Sequence, residues 1–339
     1  YEVKQINRLR MKITVLGAGA WGTALAISLA SKNQVILWGR NQSAMEAAQI
    51  ARENQHYLPG FPLPENLQAS ADFDLALRHV LDDGLLIIAS SVSGLRPILQ
   101  QCKSYPLKNV VWLCKGFEET SRLLPHQVVK QELGDQIPAG ALSGPSFAQE
   151  VAQGLPCALT IASSSAELCQ IMVDAAHSPN LRTYSSGDVV GVEVGGAVKN
   201  ILAIATGVAD GLGLGLNARA ALMTRGLAEI SRLCTALGGR LETLMGLTGV
   251  GDLILTCTGN LSRNRKVGLA LAEGKSLETI IQELGHVAEG VRCAQAVKAL
   301  AQELKIDMPI TEAVASVLFE QVAARDMIER LLSRNAKIE

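Results

Sequence analysis

One short stretch constrains the fold of this chain more than any other. An apolar run (Ile13, Val15, Leu16) leads straight into Gly17-Ala18-Gly19-Ala20-Trp21-Gly22, and a helix-forming run, Thr23–Ala30, follows without a break. Strand, glycine turn and helix in that order is the context that gives G-x-G-x-x-G its meaning as a dinucleotide-binding turn. Gly17 permits the tight turn, Gly19 lets the backbone approach a pyrophosphate, and Gly22 lets helix and strand pack closely. The helix N-terminus offers unpaired N–H groups and a positive dipole end to the phosphates. Ala20 and Trp21 lie inside the turn, so both are candidate cofactor contacts. Core packing is the alternative for the indole.

The next strand refines the cofactor. An NAD site places an acidic residue at the end of its second strand, about 20 residues past the glycines, to hold the ribose hydroxyls. Here Gln34–Trp38 runs into Gly39-Arg40-Asn41 with no carboxylate. Arg40 suits a 2′-phosphate or the adenine face, so the expected cofactor is NADP or NAD, with NADPH favoured. A solvated arginine is the competing reading.

Around this motif the first half alternates strand and helix patterns. Lys12–Leu16, Gln34–Trp38, Leu85–Ala89, Asn109–Leu113 and Ala139–Leu142 are apolar on both faces, as strands covered by helices on both sides should be. Cys157–Ser163 and Leu181–Ser185 are weaker strand patterns. After about Gly187 the strand patterns stop and helical ones take over: Val189–Asp210, Asn217–Leu237, Asn264–Ala272, Ser276–Glu283, Gly290–Leu304 and Thr311–Phe319. Glycine-rich stretches, including Gly246–Gly251, read as loops between them. The expected fold class is α/β: an N-terminal Rossmann-type, doubly wound, mainly parallel sheet over residues 11–188. An all-α substrate-binding domain over 189–339 should follow, with the cleft between the two.

Composition narrows the function. Lys plus Arg (31) nearly balances Asp plus Glu (32), which argues against a nucleic-acid partner. The seven cysteines are scattered with no C-x-x-C pair, and the five histidines lack metal-ligand spacing. Neither a disulfide framework nor a metal site is expected, and a reducing cytoplasmic setting is. No segment reads as a membrane span or as an apolar leader. The residues before Met11 are polar.

Several segments together resemble the bacterial-type NAD(P)-dependent glycerol-3-phosphate dehydrogenase family. They are GAGAWGTALA (17–26), CKGFE (114–118), SGPSFAQEVAQGLP (143–156), GGAVKNILAIATGVADGL (195–212), GLTGVGDLILTCTG (246–259), SRNRKVG (262–268) and VAEGV (287–291). The resemblance runs from about Lys12 to the C-terminal helices. It implies reduction of dihydroxyacetone phosphate to sn-glycerol 3-phosphate, a role in glycerophospholipid synthesis, and a homodimer.

The chemistry gives each matching residue a task. Hydride reduction of a ketone needs a proton for the nascent alkoxide and stabilisation of the charge developing there. Lys199 is the expected acid/base, Asp252 its carboxylate partner, and Lys115 a second cation that polarises the carbonyl. The family pattern places Lys115 at both cofactor and substrate. A free lysine pKa of about 10.4 is too high for this work; burial would lower it and a neighbouring carboxylate would raise it. The substrate phosphate calls for Arg263 and Asn264, with Ser262 capping a helix that begins near Asn264. Arg265 and Lys266 read as solvated cations. By the same resemblance Gly144, Ser146, Asn200 and Thr256 contact substrate. Tyr57, Ala148, Arg263, Val287 and Glu289 reach the cofactor.

Bland readings compete at several of these positions. An isolated lysine in a helix normally faces solvent, but Lys199 sits in an unusually apolar stretch. Asp252 could merely cap a helix, and Tyr57 could be a plain loop aromatic. The chain also departs from the family pattern. Serine usually stands at the Ala20 position, and proline-serine often follows the strand ending at Ala89, where Ser90-Ser91 stands here. Two other functions fit the broad architecture: a Rossmann dehydrogenase for a hydroxyacid or a nucleotide sugar, and a dinucleotide-sensing regulator. A nucleotide-sugar oxidase would want a catalytic cysteine, for which Cys257 is the candidate. A regulator would need no acid/base lysine.

Overall fold

The computed structural model describes residues 11–285 and 288–333. The polar residues before Met11, and Val287 among the expected cofactor contacts, lie outside the described residues.

Eight strands form one sheet: β1 (Lys12–Leu16), β2 (Gln34–Trp38), β3 (Leu67–Ser70), β4 (Leu85–Ile88), β5 (Val110–Trp112), β6 (Ala139–Ser143), β7 (Cys157–Ser163) and β8 (Leu181–Ser186). Their order is β3-β2-β1-β4-β5-β6-β7-β8. Pairing is parallel from β3 through β6; β7 then runs antiparallel to β6, and β8 parallel to β7. Between the strands lie α1 (Ala20–Leu29), α2 (Gln42–Ala51), α3 (Phe73–Arg78), α4 (Val92–Cys102), α5 (Pro125–Leu133), α6 (Ala148–Ala152) and α7 (Ala166–Ala176). Successive residues of β1 face opposite cores: Val15 packs with Leu25 and Ile87, Leu16 with Ile88 and Leu95. Each such fully buried aliphatic side chain is worth about 1.5–3 kcal/mol over exposure. Because β1 has β2 on one side and β4 on the other, the glycine turn after β1 opens at the point where strand order reverses, where such sheets bind ligands.

Strand β3 is absent from the sequence-based expectation. It is a four-residue edge strand, Leu-Gln-Ala-Ser, paired on one side only, so only alternate residues needed to be apolar. Its presence makes the strand before Lys115 the fifth and the strand before Ser90 the fourth.

The rest of the chain is helical: α8 (Val189–Gly211), α9 (Gly215–Ala236), α10 (Leu241–Leu244), a π turn (Leu247–Gly251), α11 (Asp252–Thr258), α12 (Arg263–Ala272), α13 (Leu277–Leu284), α14 (Glu289–Glu303), α15 (Pro309–Phe319) and α16 (Ala324–Leu332). The expected loop over Gly246–Gly251 is instead mostly π turn, continuous with α11. Helix α8 is the axle of this half, and its residues Gly191 through Ala209 are all buried. Contrary to the sequence-based expectation, α8 is long and apolar enough to cross a bilayer. What surrounds it, however, is the protein's own core: α9, α11, α12 and α14 pack on it. Its glycines make that possible. A Cβ on Gly207 would stand 2.2 Å from Arg265 O, and one on Gly195 2.7 Å from Thr248 O.

Candidate functional site

The glycine turn has the shape a dinucleotide requires. Gly17 adopts φ +129°, and a Cβ there would stand 2.4 Å from Ala89 O; one on Gly22 would stand 2.0 Å from Gly17 O. Gly19, the N-cap of α1, has nothing among the described residues within 4 Å of that position. Two glycines thus press the backbone together, and the third leaves open space at a helix N-terminus, which fits a pyrophosphate. Arg40 is exposed just past β2. Tyr57 is half exposed, its ring edge-on to His56 at 4.4 Å. Trp21 is partly buried in a small apolar cluster with Leu58, Val151, Ala20 and Ala148, so packing accounts for much of its ring.

Two lysines and one aspartate meet where the two halves join. Lys115 leaves the end of β5, Lys199 lies midway along α8, and Asp252 opens α11 directly after the π turn. Lys199 Nζ is 2.5 Å from Asp252 Oδ1, and Lys115 Nζ is 2.7 Å from Oδ2. Lys199 also donates to Thr256 Oγ1 (2.9 Å), and Lys115 to Gly144 O (3.2 Å). Asp252 is therefore no helix cap; each carboxylate oxygen serves one lysine. Lys199 and Asp252 are both buried.

That burial sets the charges. It pulls Lys199 down from 10.5 to about 8, against Asp252, which holds it up. For Asp252, burial pushes upward, but Lys115 and Lys199 together hold the carboxyl below its usual value. Glu289, partly buried at the start of α14, is raised by burial, with Arg263 and the two lysines opposing. Three cations against Asp252 and a weakly acidic Glu289 leave a net positive pocket, suited to a phosphate.

At its edge stands the N-terminus of α12. Ser262 caps it, accepting from Arg265 N (3.2 Å), and the helix starts at Arg263. Arg263 is exposed and Ser262 and Asn264 are buried. Asn264 is already engaged: Nδ2 donates to Asn200 Oδ1 (3.0 Å), and Oδ1 accepts from Gly290 N (2.9 Å). Asn200 Nδ2 lies 3.5 Å from Glu289 Oε2. This chain links α8, α12 and α14 under the pocket and was invisible in sequence, since its members lie 26 and 64 residues apart.

Other expectations fare differently. Gly144 (φ +141°) turns its carbonyl to Lys115 and also accepts from Ser146 Oγ (3.2 Å). Arg265 is not solvated: it donates to Asp210 Oδ2 through Nε (2.8 Å), while Arg219 holds Oδ1. Lys266 is exposed, as expected. Cys257 is fully buried, and burial pushes its thiol up to about 12, which disqualifies it as a nucleophile. Sequence reasoning missed Glu118, whose carboxylate takes a two-pronged contact from Arg96 (2.8 and 2.7 Å) three residues after Lys115. It also missed Ser143, whose buried Oγ, beside Gly196, has no hydrogen-bond partner among the described residues.

Comparison with known proteins places the chain in a family. A family model described as NAD-dependent glycerol-3-phosphate dehydrogenase N-terminus matches residues 12–169, and the corresponding C-terminus matches 188–329. The chain is 66% identical over 329 residues to a glycerol-3-phosphate dehydrogenase (NAD(P)+) of Herminiimonas arsenicoxydans, covering 97% of this chain and 99% of that one. It is 67% identical over 330 residues to one from Paucimonas lemoignei, covering 97% and 98%. The crystal structure of glycerol-3-phosphate dehydrogenase from Coxiella burnetii superposes with a TM-score of 0.91 at 42% identity, over 96% of this chain and 99% of that one. The chain belongs to the NAD-dependent glycerol-3-phosphate dehydrogenase family.

Proposed function

We propose that this chain catalyses the reversible, NAD(P)H-dependent reduction of dihydroxyacetone phosphate to sn-glycerol 3-phosphate. The observation that carries the reading is the buried Lys199–Asp252 pair, joined by the partly buried Lys115, in the cleft of a chain of this family. The bound dinucleotide supplies the hydride. Gly17, Gly19 and Gly22 shape the backbone that takes its pyrophosphate, and Arg40 favours NADPH through the 2′-phosphate.

Lys199 Nζ donates a proton to the oxygen as the carbonyl becomes an alcohol, and takes it back in the reverse direction. A pKa near 8 suits both. Asp252 orients that ammonium, and Lys115 stabilises the negative charge growing on the oxygen. Arg263 and the Ser262-capped end of α12 hold the phosphate, while Asn264 positions Asn200. The product is a building block for glycerophospholipids. A homodimer in the cytoplasm is the state the family resemblance implies.

The direct test follows NADPH and NADH oxidation with dihydroxyacetone phosphate beside unphosphorylated dihydroxyacetone. Rapid turnover of the phosphorylated ketone alone is expected. Equal rates with both would remove the phosphate site from the reading.

A further inference from the structure

Six residues before Lys199 on α8, a carboxylate is buried outside the lysine cluster. Glu193 is 5% exposed. Its Oε1 accepts from Trp112 Nε1 (2.9 Å) and from His126 N (2.9 Å), and its Oε2 faces His126 Nδ1 at 2.5 Å. Trp112 ends β5, three residues before Lys115; His126 lies in the first turn of α5. One side chain therefore ties the helix carrying Lys199 to the strand that delivers Lys115.

Such an anchor is costly. Burial pushes the Glu193 carboxyl up from its ordinary value, with His126 and Trp112 opposing. Three donors converging on a buried acid are not needed to fill space, which an apolar side chain could do. What they add is direction. An apolar contact tolerates a helix sliding or turning on its bed, whereas an indole N–H and a backbone N–H at hydrogen-bond length do not. Nearer Lys199, α8 has no slack either. A Cβ on Gly196 would meet Ser143 Oγ at 3.3 Å and the Lys115 side chain at 3.4 Å. A turn of α8 about its axis would carry Lys199 away from Asp252 while Lys115 stayed in place.

We propose that Glu193 is a positioning residue for the reduction: by bonding Trp112 and His126 it fixes α8 against β5, so that Lys199 and Lys115 reach opposite oxygens of Asp252. The inference rests on the reading of those lysines as the reacting pair.

The test compares wild type, Glu193→Ala, Glu193→Gln and Trp112→Phe in the dihydroxyacetone phosphate assay. NADPH affinity, the pH profile of kcat and tryptophan emission are measured alongside. Glu193→Ala should lower kcat roughly ten- to a hundredfold, the scale of an ångström-sized misplacement. It should also move the alkaline limb of the profile and leave NADPH binding near wild type. Glu193→Gln, which keeps an acceptor oxygen for Trp112 and His126 N, should recover most of the rate. A soluble Glu193→Ala protein with altered tryptophan emission but wild-type kcat and pH profile would overturn the proposal. Should that variant fail to fold, Trp112→Phe decides: a reduced kcat supports the anchor and an unchanged one overturns it. Full activity in Lys199→Ala would sink the functional reading instead, a result distinct from any of these.

Discussion

Lys199 and Asp252 form a buried ion pair, 2.5 Å between Nζ and Oδ1, in which burial outweighs the partner and leaves the lysine near pKa 8. The reduction consumes the ammonium, and the oxidation needs the free amine. The kcat for dihydroxyacetone phosphate reduction should therefore fall as pH rises through about 8, and that for glycerol 3-phosphate oxidation should rise there. Because Asp252 holds the value up, Asp252→Asn should move both limbs to lower pH. Profiles measured in both directions check this; a limb that stays put in the variant removes Asp252 from the pair.

Lys199→Ala deletes the proton donor but leaves the glycine turn untouched. General acid–base catalysis contributes about 10²–10⁴-fold, and kcat should drop by that order while NADPH still binds. Turnover at the wild-type rate would show that another group moves the proton.

Arg263→Ala should act on binding more than on chemistry. A charge-assisted hydrogen bond is worth about 1.5–3 kcal/mol, so the KM for dihydroxyacetone phosphate should rise about ten- to a hundredfold. An unchanged KM means the guanidinium serves Glu289, whose carboxyl it already influences, and not the phosphate.

Glu229 makes stability depend on pH through contacts outside the lysine cluster. It is buried on α9 and accepts from Ile310 N, Thr311 N and Thr311 Oγ1 at the start of α15. Burial raises its pKa from 4.5 to about 7. The folded state thus holds this proton more tightly than the unfolded chain does. The contribution is fully present below about 4.5 and is lost as pH rises through about 7. Urea midpoints should fall between pH 5 and pH 8, and Glu229→Gln should flatten that slope. Equal slopes in variant and wild type would refute the assignment.

What the sequence disclosed depended on how locally each feature is encoded. Strands β1, β2 and β7 were legible to the residue because apolar runs end abruptly at glycine or polar residues. The edge strand β3 was not, since one-sided pairing leaves half of its four residues polar. Lys199 betrayed itself by its apolar neighbours. The π turn hid behind its glycines: Gly249 sits so close to Leu244 O that a Cβ would stand 1.9 Å away, and no side-chain periodicity records such packing. Apart from Lys199–Asp252, which the family resemblance supplied, pairings across long separations left no trace. Arg265 read as solvated because Asp210 lies 55 residues earlier, and Glu193 looked like one more residue of a helix because Trp112 lies 81 residues back.

Arg40 provides the test of cofactor choice. It is exposed just beyond β2, where a carboxylate would instead hold ribose hydroxyls, and its nearest acidic neighbour in sequence is Glu46 on α2. A guanidinium there attracts a 2′-phosphate, while an aspartate repels it and accepts from the hydroxyls. Arg40→Asp should raise the KM for NADPH and lower that for NADH, reversing or flattening the preference. The kcat with saturating cofactor should hardly move, because Lys199, Asp252 and Lys115 all lie at the junction with the helical half. Ionic strength gives an independent check: added salt should weaken NADPH binding to wild type more than to Arg40→Asp. Unaltered KM values for both cofactors would mean that Arg40 points into solvent and that the preference is set elsewhere.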